Sequence, residues 1–241
     1  MADKPLTGKV SVITGASHGL GQAVAVHLAG VGSDLGVIGR PADRLNQTAD
    51  MPPGYGTRVL ALPCDIANIE QVQSAANQIS REMSRADILI NNAGIPAPRT
   101  FEETTFADWD QVISVNLSGA FYLTRALWDL LAASGAGYVI TISGSAGVRG
   151  GGSPAYGSAK FGLSGLNYAI AAAGKTKNVR ATILYPGSMD TGWRGAPIGE
   201  KPASETMNPD EVARFIGQLV VSPAEFMVNE AVLNPLSTPL L

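Results

Sequence analysis

The stretch Val10-Ser11-Val12-Ile13-Thr14-Gly15-Ala16-Ser17-His18-Gly19-Leu20-Gly21 passes from an apolar run into a glycine-rich turn, and a helical pattern follows. Glycine permits backbone torsions and close approaches that a Cβ forbids, and the free N–H groups at a helix start attract phosphate. The pattern predicts a strand, a phosphate-binding turn and a helix, although such a turn can also serve packing alone. Its spacing differs from the usual Gly-x-Gly-x-x-Gly fingerprint. The candidate cofactor-binding residues here are Gly15, Ser17, His18, Gly19, Leu20 and Gly21.

Outward from this turn, short apolar runs alternate with longer helical patterns. We predict seven strands, and nearly continuous apolar strands separated by helices indicate a parallel sheet covered on both faces. The fold class is therefore α/β: a single Rossmann-type doubly wound domain over residues 1–241, with a seven-stranded parallel sheet flanked by helices. A segment rich in Gly, Pro and Ser, at about 188–208, is the expected substrate loop. The predicted strands cover 10–14, 34–39, 58–62, 87–91, 138–142, 179–184 and 226–233, and the predicted helices 21–29, 69–83, 106–133, 155–173 and 209–220.

Composition argues against several classes of function. The 241 residues, 45% hydrophobic and 15% charged, can bury one sizeable core. The net charge of -3, without a run of Lys or Arg, argues against a nucleic-acid or anionic-membrane partner. No apolar run approaches the ~18 residues of a membrane span and no export signal is evident, so we expect a soluble, cytoplasmic protein. One Cys and two His leave no disulfide and no metal site to expect.

A second motif lies between Ser143 and Lys160. Tyr156 and Lys160 are four residues apart in a predicted helix, so their side chains share one face. A free tyrosine titrates near pH ~10, and bringing its pKa to about 7 requires roughly 4 kcal/mol of preference for the phenolate. A neighbouring ammonium and a cationic nicotinamide ring can supply this preference. The pair is thus a candidate proton shuttle, although a Tyr and a Lys at this spacing also occur on exposed helices.

Polar and small residues follow the second, third and fourth predicted strands. Arg40 ends the second strand where cofactor sites for NAD(H) carry an acidic residue, and an arginine there accommodates the 2′-phosphate of NADP(H). A charge-assisted bond of this kind contributes about 1.5 to 3 kcal/mol. Residues at the carboxyl ends of parallel strands line the cofactor crevice, although the same residue types suit turns, and Arg40 could simply be solvated. The candidates after the third and fourth strands are Asp65, Ile66, Asn92, Ala93 and Gly94.

Together these residues resemble the short-chain dehydrogenase/reductase family over essentially the whole chain. The order and spacing of the motifs are highly specific, although each is modest alone. They are Thr14-Gly15-x-x-x-Gly19-x-Gly21, Asp65, Asn91-Asn92-Ala93-Gly94, Asn116, Ser143, Tyr156-x-x-x-Lys160 and Pro186-Gly187-x-x-x-Thr191.

The resemblance implies a role for each catalytic candidate. Tyr156 would exchange a proton with the substrate oxygen, while Lys160 would lower the pKa of Tyr156 and bind the nicotinamide ribose. Asn116 would hold a water that relays protons to solvent. Ser143 would stabilise charge on the substrate oxygen; many members carry two adjacent serines here, whereas this chain reads Ser143-Gly144-Ser145, so Ser145 is the alternative. Thr191, after Pro186 and Gly187, would orient the carboxamide of the cofactor ring.

The resulting expectation is an NADP(H)-dependent carbonyl reductase or alcohol dehydrogenase acting on a small-molecule substrate. Two alternatives stay open, namely an NAD-dependent dehydrogenase and a non-catalytic nucleotide sensor. Among surface residues, Trp193 could close over an apolar substrate, and Arg149 or Arg194 could meet a carboxylate. By resemblance, the long helices around 108–133 and 155–173 would form a homodimer or homotetramer.

Overall fold

The computed structural model describes residues 4–50, 56–150, 153–195 and 197–238, without the side chain of Arg194. Within these ranges seven strands alternate with helices. The strands are β1 (Val10–Thr14), β2 (Asp34–Gly39), β3 (Val59–Pro63), β4 (Ile88–Asn91), β5 (Gly137–Ile142), β6 (Val179–Pro186) and β7 (Glu230–Leu233). The helices are α1 (Gly19–Gly30), α2 (Ala42–Ala49), α3 (Ile69–Met83), α4 (Phe106–Ile113), α5 (Gly119–Ala133), α6 (Ala146–Arg149), α7 (Pro154–Gly174) and α8 (Pro209–Val220).

The strands form one parallel sheet in the order β3-β2-β1-β4-β5-β6-β7. Apolar side chains of α1 and α8 cover one face, and those of α3, α5 and α7 cover the other. Because both faces are covered, the central strands β1 and β5 are buried along their whole length. The predicted fold class is confirmed. The strand order reverses between β1 and β4, and ligands of such sheets bind outside the carboxyl ends of the strands at this point.

The predicted helix over 106–133 is continuous but not uniform. A π-helical turn, Ser114–Ser118, separates α4 from α5 and contains Asn116. The side chain of Asn116 bonds both backbone polar groups of Ile95, the Ile95 N–H at 2.7 Å and its carbonyl at 2.9 Å. A hydrophobic period cannot reveal this turn, because the helix continues on both sides of it.

The last predicted strand, over 226–233, is wrong in its first half. β7 begins only at Glu230. The backbone carbonyls of residues before it accept hydrogen bonds from side chains of β6 instead of continuing the strand. Arg180 donates to the Phe226 carbonyl at 2.8 Å, and Thr182 donates to the Val228 carbonyl. The short helices α2 and α6 were not predicted.

Two further observations concern the described residues as a whole. None of their helices combines the length and the apolarity needed to cross a membrane. Their His, Cys, Asp and Glu side chains form no group of three that could hold a metal ion.

Candidate active site

The carboxyl ends of the central strands open into a cavity of about 580 Å³. It brings the glycine-rich turn and the Tyr156–Lys160 motif, more than a hundred residues apart in sequence, into one space. The predicted site residues that line it are Gly15, His18, Gly19, Leu20, Asn92, Ala93, Gly94, Ser143, Tyr156, Lys160, Pro186, Gly187 and Thr191. Those outside its lining are Ser17, Gly21, Arg40, Asp65, Ile66 and Asn116.

The glycine-rich turn needs glycine for two different reasons. Gly15 and Gly19 have φ angles of 66° and 57°, which disfavour a side chain. Gly21 lies against the Gly15 carbonyl, which a Cβ at Gly21 would overlap. The turn leads into α1, where His18 is the N-cap and makes no side-chain capping bond. The first N–H groups of α1 are therefore left to a ligand or to water.

The buried hydroxyl of Ser17 is the second unusual feature of this turn. Ser17 is 4% exposed, and its Oγ has no hydrogen-bond partner among the described residues. It lies directly against Gly39 at the end of β2. A buried hydroxyl without a partner costs free energy, so this position suits a polar ligand.

Side chains at the ends of β1 and β4 hold the floor of the cavity together. The Thr14 hydroxyl accepts from the backbone N–H groups of Asn92 and Ala93, both at 2.9 Å. The Asn92 amide donates to the Thr14 carbonyl at 2.9 Å. Asn116, which is 1% exposed, fixes the next residues through Ile95. Its side-chain bonds hold the segment after β4, and its expected part in a proton relay stays a prediction.

Tyr156 is positioned by the start of α7. The Ser153 hydroxyl accepts from the Tyr156 N–H at 3.3 Å, and Pro154 occupies the first turn, where a missing N–H does no harm. Lys160 follows one turn later, with its Nζ 5.5 Å from the centroid of the Tyr156 ring. The predicted adjacency of phenol and ammonium is thus present in the structure.

Lys160 is unusually buried for a lysine. It is 4% exposed, and its Nζ donates to the Ile142 carbonyl at 2.9 Å. Loss of hydration disfavours the charged form, so burial lowers the pKa of Lys160 to about 8. The cation beside Tyr156 therefore changes charge within the range in which enzymes work.

The two candidate serines are placed differently. Ser143 is 3% exposed, and its Oγ donates to the Lys160 carbonyl at 2.9 Å, under the closely packed Gly147. Its proton is therefore engaged by α7. Ser145 is half-buried, lines the same cavity and makes no side-chain capping bond at the start of α6. Between them lies Gly144, where a Cβ would be 3.5 Å from the Tyr156 hydroxyl oxygen.

Arg40 and Asp65 lie together at the ends of β2 and β3, outside the lining of the main cavity. The Arg40 Nη1 is 2.7 Å from an Asp65 carboxylate oxygen, and the side chains are 55% and 31% exposed. An exposed ion pair contributes only about 0–1 kcal/mol, so a stronger anion could displace it. Ile66, by contrast, is buried and packs against Gly119 of α5.

The expected substrate loop covers the cavity from the β6 side. Met189 and Met207 pair at its neck, and the Trp193 ring lies 6.3 Å from that of Tyr156. A Cβ on Gly19 would be 3.1 Å from the Thr191 Cβ, so the loop also meets the start of α1. Sequence reasoning missed three charged lining residues, Arg99, Asp190 and Lys201. Asp190 and Lys201 lie in the expected substrate loop, where Asp190 fills an unspecified position of the Pro186-Gly187-x-x-x-Thr191 motif. Arg99 belongs to no motif, and only its position five residues after Gly94 could have indicated it.

Comparison with known proteins identifies the family to which the chain belongs. A family model described as short chain dehydrogenase matches residues 9–198. The chain belongs to the short-chain dehydrogenase family. A similar protein, D-threitol dehydrogenase of Mycolicibacterium smegmatis, is 31% identical over 240 residues, which cover 95% of this chain and 92% of that protein.

Solved structures of two other proteins superpose closely on this chain. The alcohol dehydrogenase from the archaeon Thermococcus sibiricus, complexed with 5-hydroxy-NADP, has a TM-score of 0.90 at 28% identity and covers 97% of this chain and 99% of its own. L-sorbose reductase from Gluconobacter frateurii, complexed with NADPH and L-sorbose, has a TM-score of 0.88 at 26% identity and covers 98% of this chain and 100% of its own. The protein is accordingly an oxidoreductase of the short-chain dehydrogenase family.

Proposed function

We propose that the protein is an NADP(H)-dependent oxidoreductase that interconverts a ketone and an alcohol, with Tyr156 as general acid and base. The observation that carries the proposal is one cavity lined both by a phosphate-binding type of turn and by the Tyr156–Lys160 pair. A non-catalytic nucleotide sensor would have no use for a lysine buried beside a tyrosine at the cost of its hydration.

The residues of this cavity fit a dinucleotide cofactor. The unpartnered Ser17 hydroxyl, the uncapped start of α1 and the glycines that keep side chains out of the turn all suit a pyrophosphate and its ribose. Thr191, Pro186 and Gly187 would hold the nicotinamide end, and Asp65 with Ile66 the adenine end. When bound, the nicotinamide supplies or accepts the hydride.

Proton transfer is the task of the chain itself. In the direction of reduction, Tyr156 gives its phenolic proton to the substrate oxygen, and in oxidation it takes that proton back. The Lys160 ammonium, 5.5 Å from the phenol ring, stabilises the phenolate formed in reduction. Because Lys160 is shielded from water, this attraction is less screened than at the surface.

A second hydrogen bond to the substrate oxygen comes from a serine, and the geometry favours Ser145 over Ser143 for this role. The Ser143 proton already bonds the Lys160 carbonyl, whereas the Ser145 side chain makes no capping bond and lines the cavity. A donor aimed at the developing charge on oxygen lowers the barrier.

NADP(H) is proposed over NAD(H) because of Arg40, which stands where an acid would bind the ribose of NAD(H). The two solved relatives in complex with NADP-type cofactors are consistent with this. On binding, a 2′-phosphate would replace Asp65 as the partner of the guanidinium.

The test is nicotinamide oxidation over a panel of ketones, aldehydes and oxoacyl compounds, with NADPH and NADH in parallel. We expect turnover with NADPH, and we expect Arg40→Gln to lose about ten- to a hundredfold in NADPH affinity while NADH affinity changes little. Arg44→Gln, an exposed arginine on α2, is the matched control. Equal use of both cofactors by the unaltered enzyme would refute the preference, and silence across the panel would refute the activity.

We also propose a homodimer or homotetramer built on α4, α5 and α7. Large apolar side chains on these helices are exposed, and an interface would cover them. They include Phe106, Trp109, Phe121, Phe161 and Tyr168, of which Phe106 is 93% exposed. A monomeric mass in solution would contradict this. The cytoplasmic location stays a prediction.

A further inference from the structure

Two cationic side chains line the cavity and have no partner within the part of the chain that the structure describes. Arg99, from the segment after β4, and Lys201, from the loop after β6, both line the cavity that contains Tyr156. Both are exposed to solvent. Neither makes a hydrogen bond or ion pair within the described part of the chain, whereas Lys9, Arg40, Arg58, Arg85 and Arg214 all do.

Arg99 lies on the tyrosine side of the cavity. Two residues before it, Ala97 is 7% exposed and packs in one cluster with Ala155 and Ala159 of α7 and with the Tyr156 ring. Further back, Asn116 pins Ile95 through two hydrogen bonds. The segment that carries Arg99 is therefore fixed beside the Tyr156 side of the cavity.

Lys201 lies in a loop whose two ends are joined by backbone hydrogen bonds. Asp190 donates its N–H to the Met207 carbonyl at 3.0 Å, and Met207 donates to the Ser188 carbonyl at 2.9 Å. Within the loop, both carboxylate oxygens of Asp190 accept from the Gly199 N–H, at 3.0 and 2.9 Å. These bonds fix the loop on both sides of the stretch that carries Lys201.

The charge balance of the cavity is positive. Asp190 is the only carboxylate among the described residues that line it, and its oxygens are engaged by the loop backbone. Arg99 and Lys201 thus face a space in which no lining carboxylate pairs with them. Unpaired cations beside a reacting centre attract and orient anions.

On the basis of the proposed function, we propose that the natural substrate carries an anionic group, a carboxylate or a phosphate, which Arg99 and Lys201 bind while its carbonyl meets Tyr156. The proposal assigns anion recognition to Arg99 and Lys201, whereas the sequence analysis indicated Arg149 or Arg194. Arg149 is not among the lining residues, and the side chain of Arg194 lies outside the described residues.

The proposal is tested with four compounds that share one 3-oxo carbonyl. Acetoacetate is compared with its methyl ester, and acetoacetyl-coenzyme A with the acetoacetyl thioester of N-acetylcysteamine, which lacks the phosphates. The first pair detects a carboxylate and the second the phosphates of a carrier. We expect at least one anionic compound to exceed its neutral partner about tenfold or more in kcat/KM, with the difference reduced at high salt.

The variants Arg99→Gln and Lys201→Gln identify the residues responsible. Each should remove most of the anion preference through KM, at nearly unchanged kcat/KM for the neutral partner. The matched controls are Arg81→Gln and Lys175→Gln, exposed cations outside the cavity lining. Among compounds that are turned over, absence of any anion preference in the unaltered enzyme, or an equal loss on neutral and anionic compounds in the variants, would overturn the proposal.

A binding measurement separates this proposal from the proposed activity. Calorimetry of the NADPH complex with 3-hydroxybutyrate and with its methyl ester needs no turnover. Tighter binding of the anion that is lost in Arg99→Gln and Lys201→Gln supports the anion site even if all four compounds are inert, a result that would count against the activity alone. Equal binding of acid and ester, with turnover of the neutral compounds and no preference for acetoacetyl-coenzyme A over its neutral thioester, overturns the anion site and leaves the activity intact.

Discussion

At the scale of single residues, Lys160 is buried where the proposed function needs it, and its burial lowers the stability of the fold. Its ammonium is buried with one hydrogen bond, to the Ile142 carbonyl, and burial lowers its pKa to about 8. The unfolded chain therefore binds more protons than the folded chain between pH 8 and the ordinary value of 10.5. Consequently, the free energy of unfolding rises with pH across that window, and the full cost of the buried charge is present below it.

Lys160→Met should stabilise the protein at pH 7 by on the order of 1–3 kcal/mol while it abolishes turnover. The gain should shrink as the pH rises from 8 towards 10, because wild-type Lys160 loses its charge there. Urea unfolding at several pH values measures this, with the exposed Lys175→Met as control. A stability difference between wild type and Lys160→Met that does not change with pH would contradict the lowered pKa of Lys160.

The two serines make a second prediction at this scale. Ser145→Ala should lower kcat about ten- to a thousandfold at little cost in stability, because it removes a donor to the substrate oxygen. Ser143→Ala should instead cost about 0.5–1.5 kcal/mol of stability, since it removes a buried hydrogen bond to the Lys160 carbonyl, which keeps its bond within α7. Kinetics and thermal unfolding of both variants decide between them. If Ser143→Ala lost turnover at full stability while Ser145→Ala kept it, Ser143 would be the donor to the substrate oxygen, as the residue spacing predicted.

At the scale of elements, the site depends on how closely the turn after β1 packs on itself. The Gly21 backbone lies against the Gly15 carbonyl. A Cβ added at Gly21 would also lie 2.6 Å from the Asn92 amide nitrogen, so any side chain at this position must displace the turn. The motif spacing in the sequence identifies this turn, because the requirement for glycine is local. Elements whose form depends on distant partners were missed: the π-helical turn held by Ile95, and the late start of β7 that Arg180 and Thr182 impose.

Gly21→Ala should therefore destabilise the protein by about 1–3 kcal/mol and weaken NADPH binding, because the Gly15 backbone must move. Gly165→Ala is the matched control: Gly165 lies inside α7 with no heavy atom within 4 Å of its Cβ position. That variant should keep its cofactor affinity. Because Gly165 shares a face of α7 with Phe161 and Tyr168 of the proposed interface, its stability is compared at an equal oligomeric state, where we expect a gain of about 0.5–1 kcal/mol from helix propensity. Thermal unfolding and NADPH titration of both variants test the packing argument, and equal stability of the two would refute it.

At the scale of the whole molecule, the parallel sheet brings together motifs that are scattered along the chain. Alternation of apolar strands and helices was sufficient to predict the sheet and the edge where Gly15 and Asn92 meet. The place of Tyr156 at this edge followed from the resemblance of the motifs to the short-chain dehydrogenase/reductase family. It could not predict which further residues reach that edge through loops. Arg99 and Lys201 belong to no periodic or motif pattern, and only the three-dimensional path of their segments brings them to the cavity.

The central claim, proton transfer by Tyr156, is tested most directly by the turnover of Tyr156→Phe with NADPH, at a measured NADPH affinity. We predict a loss in kcat of about 10²–10⁴-fold with cofactor binding retained. Tyr168→Phe, an exposed tyrosine of the same helix that bonds Glu230, should stay within about twofold of the unaltered enzyme. Turnover of Tyr156→Phe equal to that of Tyr168→Phe would contradict the account.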